Sequence, residues 1–324
     1  MVMATQLFSL LEWCLTIMTT KCEKICQDPD GYYVRKIIVD NAVQKGAVCL
    51  DGSPPAYHFE PGLGEGVENW IVHLSATNLH FRGARIFEAI MEELLVKGLK
   101  NAKNAILAGS SAAGYPTTLY CDHFRGLLTN TPRVKCLIDS GYFIHENNPQ
   151  QARGFEHIYH ALITLHGSAK ALPKSCTSKM KPLLLFPKNM PQYIKTPLFI
   201  YMSSFDSFQI QTTIDPNLYG FIETRTCNAS QKKTLKGTYI IITNYALPKS
   251  NNPKLRGSFI DSLNQHTSIQ KRWFPENVVT IDNLSAPKAF ADWYFDRKHW
   301  YIIDKHDMAL PKYGTECPLI GGSL

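Results

Sequence analysis

The segment that most restricts the fold is Ala105–Leu128, AILAGSSAAGYPTTLYCDHFRGLL. A short apolar strand, Ala105–Ala108, runs without a spacer into Gly109-Ser110-Ser111-Ala112-Ala113-Gly114, and then into a helical stretch reaching Leu128. Only small residues let a backbone turn that sharply between a strand and a helix. A buried strand tied so closely to a following helix is the repeating unit of a parallel sheet with crossover helices.

The rest of the chain carries the same pattern. Ala47–Leu50, Trp70–Leu74, Val134–Ile138, Thr196–Met202 and Thr238–Thr243 are short apolar runs and read as buried strands, while YYVRKIIVD (residues 32–40) alternates as a strand should. Ala84–Lys97 places Ile86, Phe87, Ile90, Leu94 and Leu95 on one helical face, with Gly98 as the stop. Gly62, Gly64 and Gly66 have GxGxG spacing without a Walker lysine or a following helix, so they read as a loop. The expected class is α/β, a mostly parallel sheet flanked by helices. With 324 residues, 44% of them hydrophobic, either one large domain or two smaller ones would fit, and residues 28–324 are read as one.

The formal net charge of +7 is dispersed along the chain and favours polyanionic partners: nucleic acid, an anionic membrane or an acidic polysaccharide. No zinc-finger spacing and no basic region with interleaved aromatics occurs, so nucleic acid is the least supported of these. No apolar run approaches the ~20 residues that span a bilayer. Residues 1–27 form an apolar N-terminal segment, interrupted by Glu12 and lacking a basic start, which reads as a degraded signal peptide or a short amphipathic helix. The sequons Asn228-Ala229-Ser230 and Asn283-Leu284-Ser285 are compatible with secretion. The nine cysteines form no metal-ligand cluster and read as buried thiols with one or two disulfides.

Ser111 stands at the apex of the Gly-Ser-Ser-Ala-Ala-Gly turn, where a strained backbone would lift its hydroxyl clear of the strand end. The helix that follows would direct a backbone N–H and a positive dipole toward a developing oxyanion. Ala113 occupies the second glycine position of the G-x-S-x-G pattern, so a structural turn and a nucleophile elbow are equally compatible with this stretch. An acid and a histidine in the chain order Ser, Asp, His would complete a triad. Asp206 directly follows the strand TPLFIYMSSF, and His266 lies in the loop SLNQHTS after Phe259-Ile260.

Longer stretches carry a resemblance. LDGSPPAYHFEPGLGEGVENWIVHL (50–74), NLHFRGARIFEAIMEELLVK (78–97), residues 109–124, DSGYF (139–143), SCTSKM (175–180), TPLFIYMSSFDSFQ (196–209) and ADWYFDR (291–297) resemble the plant pectin acetylesterases. The resemblance implies an α/β-hydrolase-like fold in a secreted, cell-wall enzyme. Such an enzyme removes O-acetyl groups from acetylated pectin by a Ser-His-Asp mechanism, with no metal and no cofactor, as a monomer. It implies Ser111 as nucleophile, Asp206 as acid, His266 as base and the Ala112 N–H as an oxyanion-hole donor.

The sequence also departs from that family. After Val72-His73-Leu74 the family continues into a Glu-Gly-Gly-Gly-Trp-Cys turn that helps form its oxyanion hole. Here Ser75-Ala76-Thr77 lead directly to Asn78, so a core segment is missing. Loss of one such donor typically costs ~10²–10³ in rate. Family cysteines beside the histidine are Ser262 and Thr267, and Cys176 lacks its neighbour, which predicts a more loosely held His266. Two alternatives follow: a non-catalytic relative that at most binds acidic polysaccharide, or a carboxylesterase acting on another ester.

Overall fold

A computed structural model describes residues 34–49, 51–74, 83–143, 160–161, 164, 190–215, 217–224, 226–247, 252, 254–267, 269 and 278–305. The apolar segment 1–27, the SCTSKM motif, the proposed gap at 75–77 and Cys14, Cys22, Cys26, Cys176 and Cys317 lie outside the described residues. The chain's contacts fall into two compact units, one of residues 1–70 and 76–103, the other of 71–75 and 104–324.

In the first unit, strands β1 (Arg35–Ile38) and β2 (Ala56–Phe59) pair antiparallel, with Arg35 opposite Phe59 and Ile38 opposite Ala56. Helix α1 (Gly83–Lys97) buries Ile86, Phe87, Ala89, Met91 and Leu94, the face expected from its spacing. Ile86 and Ala89 pack with Val39, Ala42 and Ala47. Ala47–Cys49, expected as strand, is irregular, although Ala47 is fully buried. The short run supplies packing without a strand partner. Trp70 stacks on Phe59 with ring centroids 5.7 Å apart, a core contact of this unit.

The second unit is built on a six-stranded sheet. Its strands are β3 (Asn69–Leu74), β4 (Asn104–Ser110), β5 (Arg133–Asp139), β6 (Leu198–Ser203), β7 (Arg256–Asp261) and β10 (Tyr301–Ile303), in the spatial order β10-β7-β6-β5-β4-β3. β4 to β7 and β10 pair in parallel, so their C-terminal ends share one edge. β8 (Thr280–Ile281) and β9 (Leu284–Ser285) form a hairpin whose turn residues Asp282 and Asn283 both have positive φ, as a two-residue primed turn demands.

Every residue of β6 is buried, because helices cover both faces of the sheet. Phe199 and Tyr201 point into a cluster with Phe259, Phe290 and Trp293 of helix α5 (Ala286–Tyr294). On the alternate face Ile200 and Met202 pack with Tyr142, Ile242 and Leu247. Gly257 is needed on the Phe199 face, since a Cβ would lie 2.5 Å from Phe199 Cδ2 and 2.8 Å from Trp293. Helices α2 (Gly114–Leu127), α3 (Leu218–Thr224) and α4 (Ala229–Ile240) complete the set used below.

Thr238–Thr243, expected as a strand, is instead the end of α4 and the π-helical turn that continues it. A capping box at Asn228 and Gln231 starts that helix, and Leu235, Thr238 and Ile242 are buried at helical spacing. The β-branched content of the run misleads because tertiary packing overrides propensity.

Candidate active site

Four of the parallel strands deliver chemistry to the same edge of the sheet. β4 ends at Ser110, and Ser111 follows with φ +54°, a left-handed conformation that is costly for a residue with a Cβ. The turn is made possible at Gly109, where a Cβ would lie 2.2 Å from Thr117 Oγ1 and 2.5 Å from the Ala113 carbonyl oxygen. Ala113 itself sits at φ −75°, ψ −14°, so its methyl imposes no backbone strain on the elbow. Pro116 is the third residue of α2, within the first turn, where a missing N–H is tolerated. Ala112 is exposed in the 3-10 turn Ser111–Ala113 that leads into this helix.

After β6 the chain turns at Asp206, which is fully buried on its side chain. Its Oδ1 accepts from the Gln209 N–H at 3.0 Å, capping a short helical segment, while Oδ2 lies 2.8 Å from His266 Nδ1. A buried carboxylate that can only accept hydrogen bonds keeps the imidazole proton on Nδ1. The lone pair on Nε2 then faces Ser111 Oγ, 2.5 Å away. Phe208 and Phe143 flank the imidazole with centroid distances of 5.1 and 6.4 Å. Ser111, Asp206 and His266, expected from sequence, are therefore brought into one hydrogen-bonded chain.

The histidine loop is anchored by polar contacts. Asp261, at the end of β7, accepts from Leu263 N–H at 3.0 Å and from Gln265 Nε2 at 3.1 Å. Full burial pushes its carboxyl up to about 7 despite those two donors. The Ser204 hydroxyl donates to the Asp261 carbonyl at 3.0 Å, and Ser207 N–H donates to the Gln265 carbonyl at 3.2 Å. The Ser203 hydroxyl donates to the Leu263 carbonyl. Ser262 is fully buried, and Thr267 donates its N–H to Ser140 Oγ at 3.0 Å. A loop expected to be slack for want of cysteines is thus tied down by hydrogen bonds.

Asp139, Ser140, Phe143 and Phe208 were not singled out as site residues. The available signal was position: Asp139 ends a buried parallel strand, the edge at which such sheets place their ligand groups. Among the described residues no cluster of three or more His, Cys, Asp or Glu side chains has metal-binding geometry, and no helix is long and apolar enough to cross a membrane. Cys121 of α2 and Cys136 of β5 form a disulfide, while Cys49 and Cys227 are thiols.

A parallel sheet with a serine elbow after one strand, and a carboxylate and a histidine after two later ones, defines an α/β-hydrolase-type protein. The solved structure of the Wnt deacylase Notum from Drosophila has this fold, with a TM-score of 0.69 and 19% identity over 88% of this chain and 99% of the other. The pectinacetylesterase family model matches residues 27–76 and 75–315, and the chain belongs to that family. Pectin acetylesterase 7 of Arabidopsis thaliana is 33% identical over 87% of this chain and 92% of its own length. Pectin acetylesterase 11 of the same plant is 32% identical, over 82% and 88%. The two family matches meet at residues 75–76, so the match to the family is interrupted there. The alignment with the first relative runs over 366 positions, more than the 324 residues present, so that relative carries residues with no counterpart here.

Proposed function

We propose that this protein hydrolyses O-acetyl esters of pectin, with Ser111 as nucleophile, His266 as general base and acid, and Asp206 holding the imidazole. The observation that carries the reading is the unbroken relay from Ser111 Oγ to His266 Nε2 at 2.5 Å and from His266 Nδ1 to Asp206 at 2.8 Å. Ser111 Oγ attacks the acetyl carbonyl as its proton passes to Nε2, and Asp206 stabilises the imidazolium. Return of that proton to the departing sugar oxygen leaves an acetyl-serine. A water, deprotonated by the same imidazole, releases acetate and restores the serine. The Ala112 N–H, in the turn that leads into α2, donates to the oxyanion.

Family membership supports acetylated pectin as the substrate and the cell wall as the place of action. The Cys121–Cys136 disulfide supports an oxidising, extracellular setting, reached by secretion. All three relay residues come from one compact unit, which supports action as a monomer.

The test is acetate release from acetylated pectin and hydrolysis of 4-nitrophenyl acetate by the purified protein beside Ser111→Ala. Turnover should fall at least ~10³-fold in the variant. Equal rates would sink the assignment of Ser111, and a folded wild type without turnover would favour a non-catalytic relative.

A further inference from the structure

The relay needs its two halves, the elbow after β4 and the loop after β7, held at a fixed separation. Neither strand neighbours the other in the sheet: β5 and β6 lie between them. Asp139, at the C-terminal end of β5, is fully buried and directly opposite Ser110 in the register. Its Oδ2 accepts from the Ser110 hydroxyl at 3.1 Å and from the Ile269 N–H at 3.1 Å. Its Oδ1 accepts from the Ser140 hydroxyl at 3.2 Å, and Ser140 Oγ in turn accepts the Thr267 N–H at 3.0 Å.

We infer that Asp139 is a positioning residue, a single carboxylate that bridges the residue before Ser111 to the backbone just after His266. Thr267 and Ile269 both follow the histidine, so the bridge fixes the loop on its C-terminal side. Asp206 holds the ring itself from another direction, through Nδ1. Ser110 adds a further link, because its proton is spent on Asp139 and its oxygen can then accept from His73 Nε2, 3.2 Å away. The buried carboxylate is suited to the task. Both of its oxygens hold donors from different segments of the chain, and burial shields those bonds from competing water.

This inference rests on the esterase reading for its kinetic consequence only. The experiment compares wild type, Asp139→Asn, Asp139→Ala and Ser140→Ala, with active sites counted by a fluorophosphonate that labels Ser111. Expressed per titrated site, kcat should fall roughly 10–100-fold in Asp139→Ala, less in Asp139→Asn, and least in Ser140→Ala. KM should stay within about threefold in all of them, because the residue does not touch substrate. A merely structural role would reduce the titratable fraction and leave kcat per site at the wild-type value, which would overturn the inference. Amide hydrogen exchange reads the tether without any turnover. Thr267 and Ile269 should exchange faster in Asp139→Ala and only Thr267 in Ser140→Ala, with β6 amides unchanged. Wild-type protection at both amides in folded Asp139→Ala would overturn the inference even if the enzyme proved silent, whereas silence alone would overturn only the esterase reading.

Discussion

Gly141→Ala is the sharpest test of how the elbow is seated. Gly141 follows β5 and meets the start of α2 backbone to backbone: an added Cβ would lie 2.6 Å from Gly114 Cα and 2.6 Å from the Ser111 carbonyl oxygen. Gly114 meets the reciprocal obstacle, 2.7 Å to Gly141 Cα. Carbon atoms in contact sit ~3.5–4.0 Å apart, so the two segments must part by about 1 Å. Neither obstacle is the flexible end of a side chain, so the displacement falls on the backbone that carries Ser111. Overpacking of this kind costs about 1–3 kcal/mol, and each kcal/mol lowers Tm by roughly 2–4 °C in a domain this large. A displacement near 1 Å between nucleophile and base costs about 10²-fold in kcat. The assay is thermal melting together with 4-nitrophenyl acetate kinetics. The control is Gly126→Ala, where an added Cβ meets nothing within 4 Å and the helix gains up to about 1 kcal/mol. Wild-type melting and wild-type kcat in folded Gly141→Ala would refute the claim that glycine contact seats the elbow.

Two further outcomes concern stability. Asp261 has its carboxyl raised to about 7 from 3.8 by burial, so the folded state holds a proton that the unfolded state has released between those values. Its contribution is therefore full below pH ~4 and lost as pH rises to ~7, and urea unfolding should show stability falling across that window, with Asp261→Asn flattening the slope. The Cys121–Cys136 disulfide closes a loop of 15 residues between α2 and β5; Cys121→Ser should lose about 3 kcal/mol, and reductant should lower Tm more in wild type than in that variant.

The relay was legible because its chemistry is punctuated locally. Ser111 lies in a turn of small residues, Asp206 directly after a buried strand, and His266 in the loop after another, in the chain order of an α/β-hydrolase-type triad. Fold class was legible for the same reason, since strands such as Val134–Ile138 and helix Ala84–Lys97 carry their own periodicity. Thr238–Thr243 was not, because its β-branched residues match a strand locally and only the capping box and the burial of Leu235 and Ile242 reveal a helix. Asp139 escaped for a different reason. Its value lies in partners 29 and 130 residues away, Ser110 and Ile269, and no spacing rule connects them. The hydrogen bonds that carry the His266 loop were likewise illegible: cysteines can be counted in a sequence, whereas backbone acceptors such as the Leu263 and Gln265 carbonyls cannot.

Ser111 sits at φ +54° with a side chain that makes that conformation expensive. A glycine there would relieve roughly 1–2 kcal/mol. Stability and hydrolysis therefore pull in opposite directions at this one position. Neutral drift in a chain that no longer hydrolyses anything has a downhill route away from the serine, by a single substitution that makes the protein more robust. A retired enzyme would have every energetic reason to take it. A chain whose match to its family is interrupted at residues 75–76, yet still holds a serine in this strained pose against His266, is keeping the one residue that selection for stability alone would discard.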